Sequence, residues 1–210
     1  MPTRKMPRSI VPPGCADRTV LLRSILRDSL RVPVPKFGSY DVSYPEFLEY
    51  FRRVSLLERH HLIIAANFSY GWMPTILDFR SDCFDDAVKL LERARISGDL
   101  GVDELFTLAC VVNNSIVGVS KLLHFASPAS YAIWDSRVAT YLGARLQSRE
   151  KGAEQYLRYN ECCRLLCDSH EAGVVTERVS SVIGYQLQPM RALELVMFHG
   201  GLEGRTYLPV

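Results

Sequence analysis

The 210-residue chain contains no apolar run approaching the ~18–20 residues that a membrane span requires, which excludes an integral helical membrane protein. Residues 1–13 are basic and proline-rich with no apolar core, so no secretory signal is expected. No stretch alternates apolar and polar residues long enough to form a convincing strand, and there is no internal repeat. The phosphate-cradling Gly-x-x-x-x-Gly-Lys-Ser/Thr loop and the dinucleotide Gly-x-Gly-x-x-Gly loop are both missing, so no nucleotide cofactor is indicated. The six cysteines lack metal-ligand spacing. Cys162, Cys163 and Cys167 cluster without a fourth cysteine or a spaced histidine, and His60-His61 are adjacent rather than one helical turn apart. No metal is expected, and thiols without a signal segment suit a reducing compartment. With 48% hydrophobic and 23% charged residues, the chain is far from a disordered composition. The expectation is a soluble, cytoplasmic protein.

Net charge is only +2, but it is unevenly spread. Residues 1–36 carry eight Lys/Arg (Arg4, Lys5, Arg8, Arg18, Arg23, Arg27, Arg31, Lys36) against Asp17 and Asp28, a net +6, which leaves −4 for the remainder. A basic arm over about residues 1–15 suits a phosphate-bearing partner, because Lys/Arg neutralisation releases counterions. It equally suits a plain solvated tail.

The patterning is helical throughout. A helix over Ala16–Arg31 is closed by Val32-Pro33-Val34-Pro35. Ser43-Tyr44-Pro45-Glu46 has the form of a capping box opening one long helix to about Asn67, and Gly71 and Pro74 break the pattern. Further helices follow from Asp82 to Gly98, over Leu105–Val112, Lys121–Ala126, Asp135–Leu146, Ala153–Cys167 and Thr176–Ile183, and finally Pro189–His199, stopped by Gly200-Gly201. The fold class is all-α. Two lobes are expected within residues 16–210, one from about 16–80 with 150–210 and one from about 80–150.

The segment with chemical content is Asn113-Asn114-Ser115-Ile116-Val117-Gly118-Val119-Ser120-Lys121-Leu122-Leu123-His124-Phe125, followed by Ala132-Ile133-Trp134-Asp135-Ser136-Arg137-Val138. It reads as helix, tight glycine-containing turn, helix, then a connector that delivers an acid to the start of the next helix. There Asp135 is held by free backbone N–H groups and the helix dipole, which favour the carboxylate. On its own that is an ordinary cap, Lys121 an ordinary helix lysine and Trp134 an ordinary core residue. Facing a pocket, the carboxylate stabilises developing positive charge or orients a water.

The joint arrangement resembles the helix-hairpin-helix DNA glycosylases. In that superfamily a Leu-Pro-Gly-Val-Gly-like hairpin grips the DNA backbone, and an apolar-Asp-Thr/Ser-x-Val segment supplies the catalytic aspartate. Ile133-Trp134-Asp135-Ser136-Arg137-Val138 matches the second element. Ile116-Val117-Gly118-Val119-Ser120 matches the first in part, with Ile116 at the first hairpin glycine and a shorter connector to the aspartate. The resemblance covers about residues 100–146, and the four-cysteine cluster of some members is absent.

The resemblance implies a monomeric enzyme that flips a modified or damaged base out of double-stranded DNA and hydrolyses its N-glycosidic bond. It implies Asp135 as the catalytic carboxylate, stabilising the oxocarbenium-like sugar and activating the attacking water, and Lys121 as a phosphate contact or, in the other register, the catalytic amine. DNA contacts are expected from Val117, Gly118, Ser120, Lys121 and Arg137. With Gly118 as the second hairpin glycine, Ser120 takes the position of the Schiff-base lysine of bifunctional members, so a monofunctional enzyme is favoured. A shift of one residue would give that place to Lys121. The base pocket is expected from Asn67, Tyr70, Trp72, His124 and Trp134, although an aromatic core corner would account for the same residues. Shortness and the departure in the hairpin are similar to divergent bacterial members tied to phage defence, which implies hypermodified (glucosylated hydroxymethyl) cytosine as a substrate. A non-catalytic DNA-binding module and a helical interaction protein remain as alternatives.

Overall fold

The computed structural model describes residues 11–36, 38–71, 73, 75–78 and 81–207, so the first ten residues of the basic arm and Trp72 lie outside the described residues. The described residues form helices and loops with no strand. They comprise α1 (Pro13–Ala16), α2 (Arg18–Asp28), α3 (Ser39–Arg53), α4 (Arg59–Gly71), α5 (Phe84–Ser97), α6 (Val102–Ala109), α7 (Ile116–Ala126), α8 (Ser136–Tyr141), α9 (Arg149–Cys167), α10 (His170–Ile183) and α11 (Pro189–Leu202). None of these helices is long and apolar enough to cross a membrane.

Helix α7 is the centre of the molecule. All of its residues but Val117 are buried, and α3, α4, α5, α6 and α9 pack around it. Ser120, Lys121 and His124 lie on one side of it and are buried with the rest, so the helix has no solvent-facing stripe. The other grouping is α2, α8, α10 and α11, with α9 touching both. One cluster of buried side chains runs from Leu21 in α2 through Leu122 in α7 to Met197 in α11. Helices α3 and α4 (residues 39–71) pack chiefly on α7, and Tyr44 of α3 also reaches Arg191 of α11.

Two local expectations are also revised. The long helix read from Ser43 to Asn67 is two helices, broken at Val54–Glu58. The Arg95 guanidinium of α5 donates to the Val54 and Ser55 carbonyls. Glu92 accepts from the Leu57 N–H at 3.2 Å. The break is held open by side chains from another helix, so a 3.6-residue apolar period can run straight through it. The first of the two helices starts earlier than the Ser43 box. Gly38 is its N-cap, and Asp41 reaches back to the Gly38 N–H at 3.2 Å.

The second revision concerns the hairpin. The turn before α7 is made by Asn113 and Asn114, both left-handed at φ 54° and 53°, a conformation that asparagine tolerates better than most residues. Gly118 is not in this turn but inside the first turn of α7. A Cβ there would lie 3.1 Å from Val112 and 3.3 Å from the Tyr70 ring. The glycine permits close packing, not an unusual backbone.

Candidate active site

Asp135 is delivered by the connector Ser127–Trp134, which is buried over Tyr131–Trp134 without regular structure. Buried backbone outside helices needs partners for its N–H and C=O groups, and here side chains supply them. His124 Nδ1 lies 2.7 Å from the Tyr131 carbonyl. Asn160 accepts from the Ala132 N–H at 2.8 Å and donates to the Ser130 carbonyl at 2.9 Å. The Tyr159 hydroxyl donates to the Ile133 carbonyl at 3.1 Å. Ser120 Oγ accepts from the Trp134 N–H at 3.0 Å and lies 3.1 Å from the Trp134 carbonyl. Residues of α7 and α9 thus fix the four residues that precede the acid.

Asp135 itself is half-buried and caps α8. Among the described residues, both of its hydrogen bonds fall on one oxygen. Oδ1 accepts from the Arg137 N–H at 2.8 Å and the Val138 N–H at 3.0 Å. Oδ2 takes neither. The carboxylate is oriented through Oδ1.

Around it lies a group of charges set deep in the protein. The Lys121 side chain is mostly buried at 7% exposure. Desolvation holds its amine below the usual lysine range, and Asp135 and Glu194 partly counter that effect while Arg191 reinforces it. Glu194, at 1% exposure, is ion-paired with Arg191 one turn earlier on α11. Burial pushes its carboxyl up to about 7 despite Arg191, with the Asp135 charge adding to the rise. The Arg191 guanidinium sits 4.8 Å from the centre of the Tyr44 ring, a cation–π contact. The Tyr44 hydroxyl is 2.8 Å from His124 Nε2. With His124 Nδ1 donating to a carbonyl, Nε2 must accept from Tyr44. Burial lowers the His124 pKa to about 3, so the ring is neutral. Helices α3, α7 and α11 and the N-cap of α8 converge here.

Of the residues expected at the site, the structure brings together Asp135 and Lys121. Several others point inward. Ser120 is fully buried and spent on the Trp134 backbone. The Gly118 N–H donates to the Ser115 hydroxyl at 3.1 Å, which occupies the group that would grip a phosphate. Val117 is half-buried, and Arg137 is exposed on α8.

Three of the residues expected in the base pocket lie in the core. Tyr70 is 5% exposed, and its hydroxyl donates to the Val112 carbonyl at 2.7 Å. Trp134 is 1% exposed, 4.7 Å from the Tyr159 ring. His124 is enclosed between Tyr44 and Tyr131. These three are core residues with their polar atoms or faces already used. Asn67 is exposed and donates to the Ile63 carbonyl at 2.8 Å within its own helix.

Arg191, Glu194 and Tyr44 were missed. A signal existed for the first two, because they are the only Lys, Arg, Asp or Glu residues in the otherwise apolar Pro189–Leu202. Comparison of the chain with protein-family models, curated proteins and solved structures finds no match.

Proposed function

We propose that the protein is a DNA N-glycosylase that removes a modified base and leaves an abasic site. The observation that supports this reading best is the placement of Asp135, a half-buried carboxylate aimed by a side-chain-clamped connector and held through Oδ1. A cap that served α8 alone would need no such connector. In this reading the C1′–N bond breaks, and its electron pair leaves with the base. The Asp135 carboxylate stabilises the positive charge that develops on the sugar, and a water oxygen bonds to C1′ while the proton it loses ends on the departing base. The resemblance of Ile133–Val138 to the aspartate segment of helix-hairpin-helix glycosylases supports the same role. Hypermodified cytosine and oxidised or alkylated purines are the substrates to be compared.

A second reading of the attack step has its own observation. Ser120 is tied to the Trp134 backbone, whereas Lys121 shares the field of Asp135 and has a depressed pKa. A depressed pKa increases the neutral, nucleophilic fraction of an amine. Attack by the Lys121 nitrogen at C1′ would then replace attack by water, and the imine that follows is reducible by borohydride.

The test is a nicking assay on labelled duplexes carrying candidate lesions, with wild type and Asp135→Asn, before and after alkali. Alkali-dependent scission by wild type and none by the variant is the expected result. Scission without alkali, with a borohydride-trapped adduct lost in Lys121→Ala, selects the amine. Duplex binding with no scission in either protein would leave a non-catalytic DNA-binding module.

A further inference from the structure

The loop after α8 is built as carefully as the connector before it. Gln155 of α9 is 2% exposed, and both ends of its amide are committed to that loop. Its carbonyl oxygen accepts from the Gln147 N–H at 3.1 Å, and its nitrogen donates to the Arg145 carbonyl at 3.1 Å. Gly152 lets the loop lie against α9, since a Cβ there would meet the Gln147 carbonyl at 2.5 Å. The same Cβ would lie 3.7 Å from Ile116, so the loop flanks the start of α7. Arg149 adopts a left-handed φ of 53°, which a non-glycine side chain seldom does. Among the described residues the other non-glycine left-handed positions are Asn113 and Asn114, in the turn just before Ile116. Unfavourable backbone is therefore collected in two neighbouring turns, a pattern that accompanies binding surfaces.

What the loop and the first turn of α9 display is charge. Among the described residues, Arg145, Arg149 and Lys151 are exposed and take part in no ion pair, against the single acid Glu150. The outward face of α8, with Ser136, Arg137 and Thr140 exposed, links this loop to Asp135. Six helical residues span only about 9 Å at about 1.5 Å each. A strip of hydroxyls and cations thus runs from the carboxylate to the loop, with no acid of its own before Glu150.

We propose that Arg137, Arg145, Arg149 and Lys151 form a phosphate-binding surface that holds the backbone of duplex DNA beside Asp135. The partner rests on the base-excision reading, but the surface is tested by binding alone. Rigid presentation of separated cations fits a polyanion of fixed spacing, and each Lys/Arg neutralisation of a phosphate releases counterions.

The experiment measures anisotropy of a fluorescein-labelled undamaged duplex over about 50–200 mM salt. The proteins are wild type, the triple variant Arg145→Gln/Arg149→Gln/Lys151→Gln, and the charge-matched control Arg18→Gln/Arg23→Gln/Arg31→Gln on and after α2. All six positions are exposed, so melting temperatures serve as the check on folding. The loop variant should flatten the slope of log K against log salt by up to about 2.7, at about 0.9 per lost contact, and the control should not. Equal flattening by both variants, an unchanged slope in the loop variant, or a wild type that binds anionic vesicles but not duplex would overturn the proposal. Base release is scored separately. A loop variant that loses affinity while wild type releases no base leaves the surface standing and removes only the enzymatic reading.

Discussion

Ser120→Ala isolates the role of the connector. The hydroxyl is fully buried and is the acceptor for the Trp134 N–H at 3.0 Å. Alanine removes one oxygen and leaves that donor without a partner in a site closed to water. An unsatisfied buried donor costs about 1–3 kcal/mol. Taking about 2 kcal/mol, and about 2–4 °C per kcal/mol for a chain of this size, the melting temperature should fall by about 4–8 °C. Trp134 directly precedes Asp135, so relaxation of its peptide also moves the carboxylate. A displacement of about 1 Å at a reacting group costs on the order of 100-fold in rate. Thermal denaturation, with base release measured well below the transition, reads both effects. An unchanged melting temperature combined with a selective loss of DNA affinity would refute the reasoning, because it would mean that the hydroxyl faces DNA rather than the connector.

Asp135→Asn keeps an oxygen for the Arg137 and Val138 N–H groups, so stability should change by less than about 0.5 kcal/mol while base release is abolished; melting and turnover on one preparation check both. Tyr70→Phe removes the donor to the Val112 carbonyl and should cost about 1 kcal/mol in thermal melts without altering which base is accepted. Glu194 is expected to make stability depend on pH. Its carboxyl is raised from 4.5 to about 7 in the fold, so the folded state holds a proton that the unfolded chain has lost, and stability falls as pH rises through that window. Denaturant unfolding across the window should show Glu194→Gln gaining on wild type by on the order of 3 kcal/mol, at about 1.4 kcal/mol per pH unit. His124 works the other way, losing stability as pH falls from 6.5 toward about 3, and its contribution is common to both proteins.

The helical class was legible because apolar periods, prolines and glycine stops are local signals, and α5, α9 and α11 lie close to where those signals put them. The joint at Val54–Glu58 was not, since its cause is Glu92 and Arg95 some forty residues away. Asp135 as an N-cap was legible from the polar residue set before a helix. The aromatic corner at Tyr70 was not, because a tyrosine at a helix end reads alike whether its hydroxyl meets solvent, a base or the Val112 carbonyl. Gly118 misled for a related reason. A glycine next to Asn-Asn-Ser suggests a turn, yet the asparagines take the left-handed positions and the glycine makes room for Tyr70. Arg191 and Glu194 needed only the question of why an apolar helix carries two charges one turn apart.

The most direct measurement is mass spectrometry of the small molecules released when wild type and Asp135→Asn are incubated with several DNAs. The set should include oxidised and alkylated duplexes and phage genomes rich in glucosylated hydroxymethylcytosine. Wild type should release a free base from at least one of these DNAs, matched by abasic sites in the polymer, and Asp135→Asn should release none. Equal release by the two proteins would contradict the role given to Asp135, and no release by wild type from any DNA that it binds would contradict base excision itself.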